Sequence, residues 1–209
     1  MTGSETERYA ATRRSLHAVA ELVLAGPQYD RAEDIRLRVG DQGIETWTGP
    51  RVRVAGTDLV HDGGRTPLAG RTCAELAADV GVTARRLDDV YPDVVPVTAD
   101  EPLDVDPDQA ARLLSALALG DAGLERFAPR QERVLWPEHF DVAITWDQVN
   151  YGVSPGDTFL GEPYAYVGPH EVPAGSFWNA SFGAVRPVRE LADVSALVAF
   201  FEEGRALTR

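Results

Sequence analysis

Apolar residues at Leu16, Val19, Ala20, Val23 and Leu24 fall three and four positions apart, the repeat that lines one face of a helix. Ser4-x-x-Glu7 ahead of them has the pattern of a capping box, and Gly26-Pro27 is expected to end the helix. Beyond Asp34 the repeat shortens to two. Ile35, Leu37 and Val39 alternate with Arg36 and Arg38, and similar short runs recur at 44–48, 51–54 and 58–61. Glycine-rich pieces between them suit tight turns, so this stretch predicts a four-stranded antiparallel meander. A second capping box, Thr72-x-x-Glu75, starts a short helix that ends near Gly81, with a further helical turn or two over 83–90. The segment 91–106 is rich in proline and aspartate, has no sustained period, and reads as a linker.

Pro107 behind Asp106 opens another helix, with Ala110, Leu113, Leu114 and Leu117 as its buried stripe and a shorter continuation through Leu124 and Phe127. After Pro129 the texture turns strand-like at 133–136, 141–146, 164–167 and 177–184, and a helix from about Asp193 closes the chain. The expected fold is α+β. Residues 1–90 form a lobe with an N-terminal helix and an antiparallel β-meander, and 91–106 link it to a second α+β lobe, 107–209, with a small antiparallel sheet and a C-terminal helix.

Composition narrows the chemistry. The 209 residues can bury a core without disulfides or metals. The formal charge is −13, and all 20 basic residues are arginine. A lysine-free chain has no Schiff-base amine and no phosphate-loop lysine. Its acidity points against nucleic acid and anionic lipid as partners, because affinity for both comes from basic side chains displacing counterions. No apolar run approaches the roughly 20 residues that cross a bilayer, the lone Cys73 cannot form an intrachain disulfide, and the first thirty residues lack an export-signal pattern. The expected location is cytoplasmic. A homodimer is compatible with this size, although no sequence patch marks an interface.

Three constellations carry candidate chemistry. Residues 74–90 match a DNA-binding helix-turn-helix, with Ala77 in the first helix, Gly81 in the turn and Val82, Leu87 and Val90 inside the second; Asp88 and Asp89 set negative charge against the phosphates that such a helix must approach. Gly152-Val-Ser154-Pro155-Gly156 has the letters of a nucleophile elbow, but Pro155 lacks the N–H that builds the oxyanion hole, so a Ser-Pro-Gly turn is expected. The densest cluster lies between Trp136 and Asn179. His139, Asp141 and His170 have the residue types of a two-histidine, one-carboxylate site for Fe(II) or another divalent metal, with Glu138 as a general base beside His139, while the strands are too few for the barrel that usually carries such a site. Alternatively, Trp136, Tyr164, Tyr166 and Trp178 line a small-molecule pocket in which Asp157, Glu162 and Asn179 orient the ligand, and its acidity suits a cation.

The stretches Leu135-Trp-Pro-Glu-His-Phe-Asp141, Tyr151-Gly-Val-Ser-Pro-Gly-Asp157, Glu162-Pro-Tyr-Ala-Tyr-Val-Gly-Pro169 and Phe177-Trp-Asn-Ala-Ser-Phe-Gly183 resemble the signature stretches of an uncharacterised bacterial family of unknown function. The resemblance covers about the last eighty residues and directs attention to them without implying a reaction. The functional expectation is a small-molecule-binding or interaction protein with its site in the C-terminal lobe. The alternatives are a metal-dependent hydrolase or oxygenase and a DNA-binding regulator.

Overall fold

The computed structural model describes residues 3–41, 43–92 and 95–208. They divide into two compact units, Met1–Ser115 with Leu135–Phe140, and Ala116–Val134 with Asp141–Arg209. The α+β expectation holds, with helices and antiparallel strands in both.

The first unit opens with α1, Gly3–Val19, which runs without a break through a π-helical turn, Ala20–Ala25, into α2, Gly26–Ala32. Gly26-Pro27 therefore does not stop the helix. The reason is hydrogen-bond accounting. In the π turn the Gly26 N–H reaches the Glu21 carbonyl, five residues back. The same step would assign Pro27 to the Leu22 carbonyl, but proline has no N–H, and the Arg85 N–H fills that place at 3.0 Å. Gly26 makes the approach feasible, because a Cβ there would stand 2.1 Å from the Arg85 carbonyl oxygen. The helix ends instead at Glu33, which adopts a left-handed conformation.

Five strands follow among the described residues, β1 (Leu37–Gly40), β2 (Gly43–Thr46), β3 (Arg53–Ala55), β4 (Asp58–His61) and β5 (Gly64–Pro67), one more than the pattern predicts. Each pairs antiparallel with the next, and β6, Val134–Trp136, lies along the free edge of β1 through Leu37 and Leu135. The helix α3, Cys73–Asp79, starts at the predicted capping box: the Thr72 hydroxyl accepts from Glu75 N–H and the Glu75 carboxylate accepts from Thr72 N–H.

The segment read as a linker belongs to this unit. Val95, Val97, Leu103 and Val105 are buried. Its backbone groups are satisfied piecemeal, which is why no period marks it: Leu103 exchanges hydrogen bonds with Gly70 and Arg71, Asp104 N–H donates to Ser15 Oγ, and Asp106 N–H donates to Thr12 Oγ1.

The helix α4, Pro107–Phe127, is a single helix of 21 residues. In the second unit β7 (Asp141–Trp146), β8 (Val149–Ser154), β9 (Tyr164–Pro169) and β10 (Ala184–Pro187) form an antiparallel sheet in chain order. The strand β8 is absent from the sequence reading, and the strand expected over 177–184 begins only at Ala184. One face of this sheet is apolar and helix-covered. Val142, Ile144, Tyr151, Val153 and Val167 point there, with α4 crossing at Gly120 and α5, Val194–Leu207, crossing at Gly204. Phe127, Tyr151 and Phe201 pack with ring centroids 4.8 to 5.9 Å apart.

Gly26→Ala is predicted to destabilise the first unit by about 1–3 kcal/mol, because the new methyl group meets a backbone carbonyl that a rotamer change cannot move. Urea denaturation measures this; a loss below about 0.5 kcal/mol would contradict the close approach of Arg85.

Candidate functional site

The strand alternation that turns valines toward the helices turns a polar set the other way. Ser154 faces Tyr164 and Gly152 faces Tyr166 across β8 and β9, while Ala143 of β7 faces Gly152. One step further along that register sets Asp141 beside Ser154. Two adjacent rows result, Asp141–Ser154–Tyr164 and Ala143–Gly152–Tyr166, on the sheet face away from α4 and α5.

Gly152 is the hinge of this arrangement. A Cβ there would fall 2.6 Å from the Tyr166 hydroxyl and Cζ, so the bare glycine lets the Tyr166 ring lie across β8. The ring thereby delivers its hydroxyl to the Asp141 carboxylate on β7, where it donates a hydrogen bond to Oδ2. Asp141 is 5% exposed. Tyr164 donates to Asp157 Oδ2 at 2.6 Å, and the other Asp157 oxygen accepts from the N–H groups of Phe159 and Leu160, fixing the loop behind β8. Burial and the neighbouring Asp157 raise the Tyr164 pKa above the usual phenol range. Burial and Asp141 do the same to Tyr166. Both therefore remain hydrogen-bond donors at neutral pH.

Two residues that the sequence reading passed over complete the face. Phe159 and Phe182 are 52% and 38% exposed. Their rings meet edge to face at 5.2 Å, Phe159 lies 6.1 Å from Tyr164, and Tyr164 lies 6.4 Å from Tyr166. Four rings thus form one chain, Phe182–Phe159–Tyr164–Tyr166. The available signal was the pair of phenylalanines in loops between turn residues, where large apolar side chains have little packing reason to sit.

The other candidates go elsewhere. Glu162 pairs with Arg189. The Asn179 side chain both donates to and accepts from the Val185 backbone, closing the edge of β10. Trp178 packs on Phe177, which contacts Phe200 of α5 and so belongs with the helix side. His170 is exposed. Trp136, Glu138 and His139 lie in the first unit, where His139 is exposed with Nε2 3.3 Å from Glu138. Asp157, Tyr164 and Tyr166 come together, and with them Asp141, though as a partner of tyrosine. Among the described residues no three His, Cys, Asp or Glu side chains stand together as a metal site, so His139, Asp141 and His170 do not form the metal triad.

Ser154 is the last residue of β8, and its Oγ holds the turn that follows by accepting from the Gly156 N–H at 3.0 Å. The helix-turn-helix reading fails on geometry. After α3 the chain turns at Gly81, and residues 80–90 form no second helix. Arg85 pairs with Asp30 and Asp89, and Arg86 with Asp88 and the Val97 carbonyl, which removes the basic side chains that a phosphate backbone would need.

The first unit holds a buried polar cluster that the sequence reading did not single out. His17 stacks on Phe140 at 4.9 Å and donates through Nε2 to the Pro137 carbonyl at 2.6 Å. Burial lowers its pKa to about 4, so the ring is neutral. One turn on, in the π turn, Glu21 is fully buried and accepts from Val95 N–H at 2.8 Å. Its pKa is raised by burial, and the Val95 N–H is the first of the groups that oppose that rise. Cys73 is buried and its thiol is pushed up to about 12, chiefly by burial, which makes it a poor nucleophile. His17 and Glu21 tie the N-terminal helix to the 137–140 segment and to Val95, and serve the fold.

Comparison with protein-family models, curated proteins and solved structures finds no match. The geometry of the chain itself therefore carries the functional reading.

The His17 shift has a consequence for stability. The unfolded ring titrates near 6.5 and the folded ring near 4. As pH falls through that window the unfolded state takes up a proton that the folded state refuses, so stability is lost between pH 6.5 and 4. His17→Gln keeps a donor for the Pro137 carbonyl and removes the titration. Its stability relative to the natural chain is expected to rise as pH falls from 6.5 to 4 in urea melts at stepped pH; a difference constant across that range would contradict a buried neutral imidazole.

Proposed function

We propose that this chain binds a small organic molecule in the second unit against the exposed rings of Phe159 and Phe182, with the buried Tyr164 behind them. The observation that supports this is the four-ring chain with two exposed phenylalanines, set beside hydroxyl and carboxylate groups that are already held in fixed positions. Large rings left in water lose the stabilisation of burial, about 25 cal/mol for each Å² of apolar surface, and a ligand that covers them recovers it. Behind them Tyr164 and Tyr166 form a fixed backing, because their hydroxyls are anchored on Asp157 and Asp141, so the pair has little conformational freedom to lose. Rigid aromatic walls and a few oriented polar groups are what a small-molecule site requires. Binding, rather than catalysis, suits a set of polar groups that are mostly engaged with one another. A cytoplasmic setting is proposed with it, in keeping with Cys73 as a free thiol.

The test is a thermal-shift series with neutral, anionic and cationic aromatic compounds and neutral sugars. At a concentration about a hundred times its Kd, a binding class raises the melting temperature by roughly 5 °C, and the shift disappears in the Phe159→Ala/Phe182→Ala double variant. A flat response to every class, or a shift that survives the double variant, would remove this reading. A concentration-dependent dimer that dissociates in the double variant would assign the face to a second copy instead.

A further inference from the structure

We propose that the open face of the sheet in the first unit docks an acidic segment of a partner protein, with Arg53 at the centre of the contact.

The strand register builds this face. Residues directly opposite one another across β1 to β5 are Arg38, Glu45, Arg53, Val60 and Arg65. The neighbouring row, one residue along each strand, points to the other side of the sheet. It consists of Val39, Ile44, Val54, Leu59 and Thr66, and Ile44, Val54 and Leu59 are buried on the side that meets the π turn. Arg36 and Arg51 stand two residues before Arg38 and Arg53 and follow the same alternation, so five arginines collect on the open side.

Carboxylates share this side, but they lie low. The Glu45 side chain is 7% exposed and holds Arg38 and Arg51, which are 46% and 65% exposed. Asp58 is 20% exposed beside Arg65 at 57%. Asp34 takes Arg36, and Asp41, in the turn after β1, also bears on Arg51. Guanidinium is therefore what meets solvent, and each group has five N–H donors, more than these ion pairs use. Arg53 spends none of them among the described residues, where it forms no ion pair or hydrogen bond. Its strand neighbours offer no acceptor, because Glu45 is spent on Arg38 and Arg51 and Val60 is apolar.

The spread of charge selects the partner. Strands lie about 4.8 Å apart, so Arg38, Arg53 and Arg65, on the first, third and fifth strands, span roughly 19 Å. A small anion meets one or two of them, whereas an extended segment of about six residues, at ~3.3 Å each, meets all three. A guanidinium recognises a carboxylate through parallel N–H bonds, and Glu45 between Arg38 and Arg51 is that recognition made within the chain. Single-stranded nucleic acid needs free rings on which its bases stack. Trp47 on this side already has the guanidiniums of Arg36 and Arg38 against its ring, at 4.9 and 5.8 Å.

The test is fluorescence anisotropy of labelled hexaglutamate, a Gly-Ser hexapeptide and hexathymidylate with the full chain at low salt. Hexaglutamate is expected to bind about tenfold more tightly than either of the others, with the preference shrinking as salt is raised. Arg53→Gln/Arg65→Gln should weaken hexaglutamate by about tenfold, while Arg130→Gln, which removes charge from an exposed loop of the second unit, should leave it unchanged. Should the double variant fail to fold, Arg53→Gln alone removes no internal ion pair and should weaken hexaglutamate about threefold. Hexaglutamate binding no tighter than the Gly-Ser peptide, or equally sensitive to Arg130→Gln and Arg53→Gln, overturns the proposal. Equal or tighter binding of hexathymidylate overturns it as well, and would give the face to nucleic acid.

Discussion

The missing side chain at Gly152 decides how the second unit presents its chemistry. Because nothing projects from β8 at that point, the Tyr166 ring crosses the strand and places its hydroxyl on Asp141. That bond keeps a nearly buried carboxylate solvated by protein, a contribution of about 1.5–3 kcal/mol for a charged acceptor. It also fixes the ring that backs the aromatic chain. With any larger residue at 152 the ring would have to stand elsewhere, and Tyr164 would lose its ring contact with Tyr166.

The two units solve the problem of buried polar groups in different ways. In the first, a π turn places Glu21 inside, and the loop over 95–97 is tied down by the hydrogen bond that the carboxylate accepts. His17 is kept neutral against Phe140 and the Pro137 carbonyl. These groups hold segments that have no regular structure of their own, so their chemistry is consumed by folding. In the second unit the carboxylates sit on a strand and a loop, paired with Tyr166 and Tyr164, and Phe159 and Phe182 stay exposed beside them.

Much of the architecture was legible in the sequence. The period-two runs after Asp34, the capping box at Thr72 and the start of α4 behind Asp106 each rest on local chemistry, and local chemistry is what a sequence displays. The failures are non-local. Gly26-Pro27 reads as a stop because its rescue comes from the Arg85 N–H, far along the chain. The strand β8 was hidden because its hairpin with β7 closes through Asp147 and Gln148, both left-handed, without the glycine that normally announces such a turn. The 91–106 segment has the composition of a linker, yet its amides find partners on α1 and beside α3.

The candidate site was half visible for the same reason. Asp157, Tyr164 and Tyr166 could be gathered from residue type and proximity in the chain, while Glu162, Trp178 and Asn179 looked equivalent until pairing with Arg189, Phe177 and the Val185 backbone separated them. Phe159 and Phe182 gain meaning only from remaining exposed after folding, a property no window of sequence contains. A crystal structure of the chain with a bound aromatic compound from the thermal-shift series would test the central claim most directly. The account predicts ligand density in van der Waals contact with Phe159 and Phe182, with Tyr166 still on Asp141. Density at any other place, with these rings uncovered, would contradict it.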